Sequence, residues 1–432
     1  MIVCVQGLWH LGTVTAACLA AAGHQVIGLD HDASTIERLR AGELPVAEPG
    51  LDALIRDNRE RLEFTTDVAA AARADVVWVA YDTPVDADDR ADVELVIAQV
   101  ERLFAHLRDD AVVLLSSQLP VGSVARLEAG LRASRPTSRV GFACSPENLR
   151  LGKAIQVFRE PDRVVVGARD DRTRARITEL LAPITTRLEW MGVESAEMTK
   201  HAINAFLALS VTFANELATI CERTGADAKE VERGLKTESR IGPRAYLAPG
   251  GAFAGGTLAR DVEFLNALAA ARGFELPLLA SVRPSNERHK QWALRRIEDR
   301  LGSLAGKTIA VWGLTYKPGT DTLRRSAAVE LCTALVASGA TVRAWDPAVK
   351  ALPPELASTI TLCPDPAATV QHASALVIAT EWPEFRQLEL ATTISGMQRK
   401  LVLDANRFLA ARVAGLDLEY FAVGIPASGV QS

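Results

Sequence analysis

Four short β-type apolar runs, Ile2 to Val5, Val26 to Leu29, Val76 to Val79 and Val112 to Leu115, recur early in the chain with helical patterns between them. A strand that leads into a helix and then another strand returns as a parallel neighbour, and repetition of that unit builds a doubly wound sheet. Between Glu194 and Arg223 the pattern changes: Ile203, Phe206, Phe213, Leu217 and Ile220 fall at helical spacing with no Gly or Pro inside. That spacing predicts one long helix, of the kind that links domains or pairs with its symmetry mate. Further helical segments run to about Leu301, and Lys307 to Gly313 opens a second α/β unit whose second strand closes near Asp346. At 432 residues and 48% hydrophobic, the chain is too long for one ordinary core. The expected division is an N-terminal α/β domain over 1–190, a helical domain over 191–301 and a C-terminal α/β domain over 302–432.

Charge argues against a nucleic-acid partner and against a disordered tail. The 48 basic and 53 acidic side chains, net charge -5, are well mixed, so no basic stripe argues for nucleic acid and no acidic tail for disorder. The first residues lack the basic start of a signal peptide, and no apolar run is expected to approach a membrane span. A cytoplasmic protein with no membrane partner is therefore expected. The six cysteines form no CxxC pair and the seven histidines no HExxH cluster, which predicts reduced core thiols and no metal.

The strand Ile2 to Val5 runs into Gly7, Leu8, Trp9, His10, Leu11 and Gly12, and a helix follows, which is where a dinucleotide fold places its phosphate-binding turn. Gly7 and Gly12 hold the first and third fingerprint positions, while Trp9 replaces the middle glycine. Asp30 closes the next strand about 20 residues on, where a carboxylate hydrogen-bonds ribose hydroxyls and favours NAD. The fold class is thus α/β, two Rossmann-like doubly wound parallel-sheet domains joined by a helical dimerisation domain, with NAD as cofactor. A Rossmann fold that has lost its cofactor, with Trp9 filling the space, is the alternative.

Lys200 and Asn204 lie four residues apart on the long helix; Arg240-Ile-Gly242 follows, then a glycine-rich loop from Gly250 to Gly256 and a carboxylate at Asp261. This layout resembles the catalytic domain of the UDP-glucose/GDP-mannose dehydrogenase family. Other segments carry the same resemblance: Gly42 to Leu51, the pair Thr83 and Pro84, Ser117 to Gly122, Ser145 to Gly152, and Gly313 to Asp321 with Arg324 and Ser326. The resemblance implies NAD-dependent oxidation of a nucleoside-diphosphate sugar by a homodimer or larger homo-oligomer, and surface-polysaccharide assembly as the pathway. It implies that Lys200 and Asn204 donate to an alkoxide, that Asp261 orients or deprotonates a water or hydroxyl, and that Glu147 belongs to the same constellation. Thr83 and Pro84 would border the nicotinamide, Ser117 would bind the cofactor from its turn, and Arg324 would face the pyrophosphate. Asn148, Leu149 and Arg150 fall in the substrate segment, Tyr246 and Lys317 would contact the sugar nucleotide, Gly255 and Gly256 would give its backbone room, and Arg240 would reach a substrate in the other subunit.

The family's nucleophilic cysteine is Thr257 here. A thiol titrates near ~8.5 and passes an aldehyde on to a thioester, whereas a threonine hydroxyl is a poor nucleophile without a base beside it. Three readings follow: a two-electron oxidation to a carbonyl, a four-electron oxidation to a uronic acid through the aldehyde hydrate, or a non-catalytic nucleotide-sugar-binding subunit.

Overall fold

The computed structural model describes residues 1–84, 91–147, 149–254 and 256–426, and divides into two compact units, Met1–Ile203 and Asn204–Ser432. In the first unit the strands are β1 (Ile2–Gln6), β2 (Gln25–Leu29), β3 (Leu62–Thr65), β4 (Val76–Val79), β5 (Val112–Leu115), β6 (Gly141–Cys144), β7 (Val164–Ala168) and β8 (Leu188–Met191). They form one sheet in the order β3-β2-β1-β4-β5-β6-β7-β8. Strands β4, β5 and β6 are buried along their whole length, because helices cover both faces of a parallel sheet and leave no polar side. The order reverses between β1 and β4, and ligands of such sheets bind in the crevice at the carboxyl ends there.

The sheet is not wholly parallel, as the sequence reading has it. β7 runs antiparallel to β6, with Ala143 opposite Ala168 and Cys144 opposite Gly167, and β8 then lies parallel to β7. The segment between β6 and β7 carries only a six-residue helix, Ala154–Arg159, in place of a full crossover helix.

The second unit repeats the plan. Strands β9 (Thr308–Trp312), β10 (Thr341–Trp345), β11 (Ile360–Leu362), β12 (Ala375–Ile378), β13 (Leu401–Asp404) and β14 (Glu419–Phe421) are all parallel in the order β11-β10-β9-β12-β13-β14. Ahead of them stand the helices Ala228–Thr237, Thr257–Ala271, Pro277–Lys290 and Trp292–Leu301.

The central helix, Val193–Thr224, runs 32 residues, and the unit boundary falls within it. By length and composition it could cross a membrane, with an 18-residue window of mean hydropathy 1.4. This corrects the expectation that no segment approaches a span. The apolar residues are interrupted by buried polar ones whose partners are protein groups. Glu197 accepts from Gly122 and Val124 N–H, a His201 ring nitrogen pairs with the Leu119 carbonyl, and Glu222 accepts from Trp292 Nε1.

Candidate active site

At the end of β1 the chain turns through Gly7 at φ 91, and its N–H donates to the Leu29 carbonyl at 2.9 Å. A Cβ at Gly7 would lie 2.7 Å from the Tyr81 ring, and one at Gly12 would lie 1.6 Å from the Gly7 carbonyl oxygen. Both glycines are therefore required by the fold itself. Trp9 sits at a negative φ of -82, which needs no glycine, and the residue is 52% exposed, so it does not fill the crevice as a core plug. Leu8 is buried, and its N–H donates to Asp30 Oδ2 at 2.6 Å; Asp30 Oδ1 accepts from Asp32 N–H at 2.9 Å. Asp30 thus fastens the loop to the end of β2.

The helix His10–Ala21 starts with no acidic residue in its first turn and no side-chain cap from Trp9. Its first-turn N–H groups are suited to a pyrophosphate, so this loop fits a dinucleotide. One of them, Leu11 N–H, meets Asp82 Oδ2 at 3.1 Å. Nothing in the spacing of Asp82 from the loop marks this contact. Thr83 is buried with its hydroxyl on the Gln118 carbonyl at 2.9 Å, while Pro84 is exposed and accepts from Asp92 N–H.

Glu48 ties this loop to the segment after β6. Its carboxylate, buried, pairs with His10 Nε2 at 2.9 Å and accepts from Gly152 and Ala154 N–H, each at 2.7 Å. Burial pushes the Glu48 carboxyl up, but the His10 contact and the two backbone donors outweigh it and hold it below the usual carboxylate range. In that segment Glu147 accepts from Leu149 N–H at 2.6 Å, Leu149 turns its side chain against the sheet core, and Arg150 is exposed. Asn148 and Gly255 lie outside the described residues.

Glu147 Oε1 stands 4.0 Å from Lys200 Nζ. Beside them a cavity of about 20 Å³ is lined by Ser117, Gln118, Glu147, Glu197, Lys200 and His201, among others. It has room for one water. The Ser117 hydroxyl, buried, has no hydrogen-bond partner among the described residues. Burial pushes the Glu197 carboxyl up, and its two backbone donors offset this only in part.

In the second unit Asn204 Nδ2 donates to Asp261 Oδ2, and Asp261 is fully buried. The glycine-rich loop ahead of the helix Thr257–Ala271 is strapped from four places. Asn215 accepts from Gly250 N–H, Asn406 from Gly251 N–H and Asn286 from Phe253 N–H, while a His289 ring nitrogen pairs with the Gly250 carbonyl at 2.8 Å. These straps come from segments far apart in the chain, and sequence spacing does not announce them. Gly256 ends the loop at φ 108 and Thr257 opens the helix, exposed. No carboxylate, imidazole or amine among the described residues is hydrogen-bonded to the Thr257 hydroxyl.

Arg240 is 86% exposed at its side chain and bonds its neighbour Glu238 at 2.9 Å; Tyr246 is exposed too. Lys317 lies in the loop after β9, where its carbonyl accepts from the Thr320 hydroxyl. Arg324 lines a groove of about 690 Å³ with Asp321, Lys350 and Glu355. Asp346 at the end of β10 repeats the part of Asp30: it accepts from Leu314 and Thr315 N–H at 2.7 and 3.0 Å, and also from Trp382 Nε1 at 3.0 Å.

Two Rossmann-like sheets, a dinucleotide cradle in the first, Lys200 beside Glu147 in the same unit and Asn204 bonded to Asp261 in the second are the parts of an NAD-dependent dehydrogenase. Models of the UDP-glucose/GDP-mannose dehydrogenase family match along the chain: the NAD binding domain over residues 1–185, the central domain over 194–288 and the UDP binding domain over 310–411. The chain belongs to that family and is an NAD-dependent nucleotide-sugar dehydrogenase. This sets aside the non-catalytic reading. It is 38% identical to the UDP-glucose 6-dehydrogenase of Pseudomonas aeruginosa, covering 99% of this chain and 98% of that protein. It is 35% identical to the enzyme of the same name from Rhizobium meliloti, covering 97% and 98%. Among solved structures, a UDP-glucose dehydrogenase from Pyrobaculum islandicum superposes with a TM-score of 0.87 at 31% identity, over 99% of this chain and 98% of that one.

Proposed function

We propose that this protein withdraws one hydride from the C6 alcohol of UDP-glucose, or of a closely similar UDP-hexose, and releases the aldehyde. The substrate is taken from relatives of 38% and 35% identity over nearly the whole chain that bear the name UDP-glucose 6-dehydrogenase. The observation that carries the reaction is Thr257, an exposed hydroxyl at the head of its helix with no paired base among the described residues. The balance is one alcohol and one NAD giving one aldehyde, one NADH and one proton. Bound NAD supplies the hydride acceptor. Lys200 and Asn204, one turn apart on the central helix, donate to the oxygen as negative charge develops on it, and Asp261 holds the Asn204 amide in position. Glu147, close to the Lys200 amine, takes the alcohol proton.

A second reading keeps the uronic acid as product. The cavity bordered by Ser117, Glu147 and Lys200 is large enough for one water, which would add to the aldehyde and let the gem-diol yield a second hydride. Counting NADH per sugar consumed, with the product's mass, separates the two. One NADH and a loss of two hydrogens supports the aldehyde; two NADH and a net gain of one oxygen for two hydrogens lost supports the hydrate route and sinks the first reading.

The assembly proposed is a homodimer through the central helix. Phe206, Phe213 and Ile220 recur at seven-residue intervals on its exposed face, at 64%, 47% and 57% exposure, and such a stripe is suited to pairing with a second copy of itself. The six free cysteines, all buried, suit a reducing compartment such as the cytoplasm.

A further inference from the structure

The first helix begins with backbone N–H groups that the helix cannot satisfy, and Trp9 brings no side-chain cap. The Leu11 donor is met by Asp82 Oδ2 at 3.1 Å, across 71 residues of sequence. Asp82 is exposed and stands between Tyr81, whose ring packs on Gly7, and Thr83, which is fixed to the Gln118 carbonyl. Its backbone is thus anchored beside the loop, and its carboxylate carries a negative charge to the helix start, at one of the donors that a dinucleotide's pyrophosphate uses in a fold of this kind.

We propose that Asp82 stands in for a phosphate in the NAD-free protein and is displaced when NAD binds, so that it sets the NAD affinity below what the loop alone would give. The contact costs the protein nothing without NAD, because a carboxylate is favoured at a helix start. It opposes NAD because two anions compete for one donor set. The competing view is that Asp82 only caps the helix, in place of the cap that Trp9 lacks.

Calorimetric titration of the full-length protein with NAD, ADP and adenosine separates these. Asp82→Asn keeps a carbonyl acceptor for Leu11 N–H and removes the charge. NAD and ADP are expected to bind about fivefold tighter to D82N, as removal of an anion from a helix start predicts. Adenosine, which has no phosphate, should bind unchanged. Unchanged NAD affinity would mean that Asp82 is a cap alone; weaker NAD binding would mean that it holds the cofactor; an equal gain for adenosine would mean that the loop opens for reasons other than charge. Each of these overturns the proposal. Should D82N unfold, D82A is read in the same way, and unfolding of both variants would make the carboxylate structural and also overturn it.

Discussion

A thiol at position 257 would sit in the first turn of the helix Thr257–Ala271, where the unsatisfied N–H groups favour an anion and lower a cysteine's pKa. Threonine in the same place gains nothing, since its hydroxyl does not ionise in the working range. Thr257→Cys is therefore expected to raise the yield from one NADH per sugar towards two, with the product changing from aldehyde to acid; a variant that still gives one NADH would show that more than the nucleophile is missing. Glu48 allows a second test at this scale. Its folded pKa is held below the ordinary carboxylate value, so the stability it contributes is complete above that ordinary value and is lost as pH falls through the lower folded one. Glu48→Gln should lower stability by about 2 kcal/mol at neutral pH, because a buried acceptor of three donors is replaced by a weaker one. The difference from wild type should close as pH falls through that lower folded value, where the native carboxylate becomes protonated too. Urea unfolding of both proteins across that range is the measurement, and a gap that does not vary with pH would contradict the assignment.

The elements were legible where one local rule sufficed. The apolar runs at Ile2, Val26, Val76 and Val112 are β1, β2, β4 and β5 to within a residue, and Glu194 to Arg223 is the central helix to within one residue at each end. What sequence could not show is contact between distant segments. Glu48 holds the segment between β6 and β7 through Gly152 and Ala154 N–H; the straps on the glycine loop come from Asn215, Asn286, His289 and Asn406; and Asp82 reaches Leu11 from another strand's end. Nor does periodicity tell a buried face from one awaiting a partner. On the central helix, Phe206, Phe213 and Ile220 are as apolar as the core yet exposed. A Phe206→Asp, Phe213→Asp double variant places charges on that stripe without touching the buried polar contacts. It should sediment as a monomer where the wild type sediments as a dimer, and an unchanged mass would remove the stripe from the interface.

At the scale of the whole chain, the same device appears twice. After β1 and after β9 a glycine at positive φ turns the chain, and the acid at the end of the neighbouring strand, Asp30 or Asp346, holds the turn through its backbone N–H groups. The two differ in how far the acid is spent. Asp346 accepts from two backbone amides, the Thr315 hydroxyl, the Trp382 indole and Ala348 N–H, so its oxygens serve the fold. Asp30 accepts from Leu8 and Asp32 N–H and has His31 at 3.2 Å, which leaves lone pairs for a ribose. We therefore propose that the repeat divides, with the acid of the first sheet reading the dinucleotide and the acid of the second shaping a loop of the UDP-binding domain. Asp30→Asn should weaken NAD binding about tenfold, the size of one hydrogen bond to a charged group, and leave UDP binding as it was. Asp346→Asn should instead lower stability by about 3 kcal/mol, since an amide nitrogen would face buried donors, and should leave NAD affinity unchanged. Calorimetry with NAD and with UDP, beside unfolding curves for both variants, decides it: if Asp346→Asn weakened NAD as much as Asp30→Asn does, the second acid would not be confined to its own loop and the division of labour would fail.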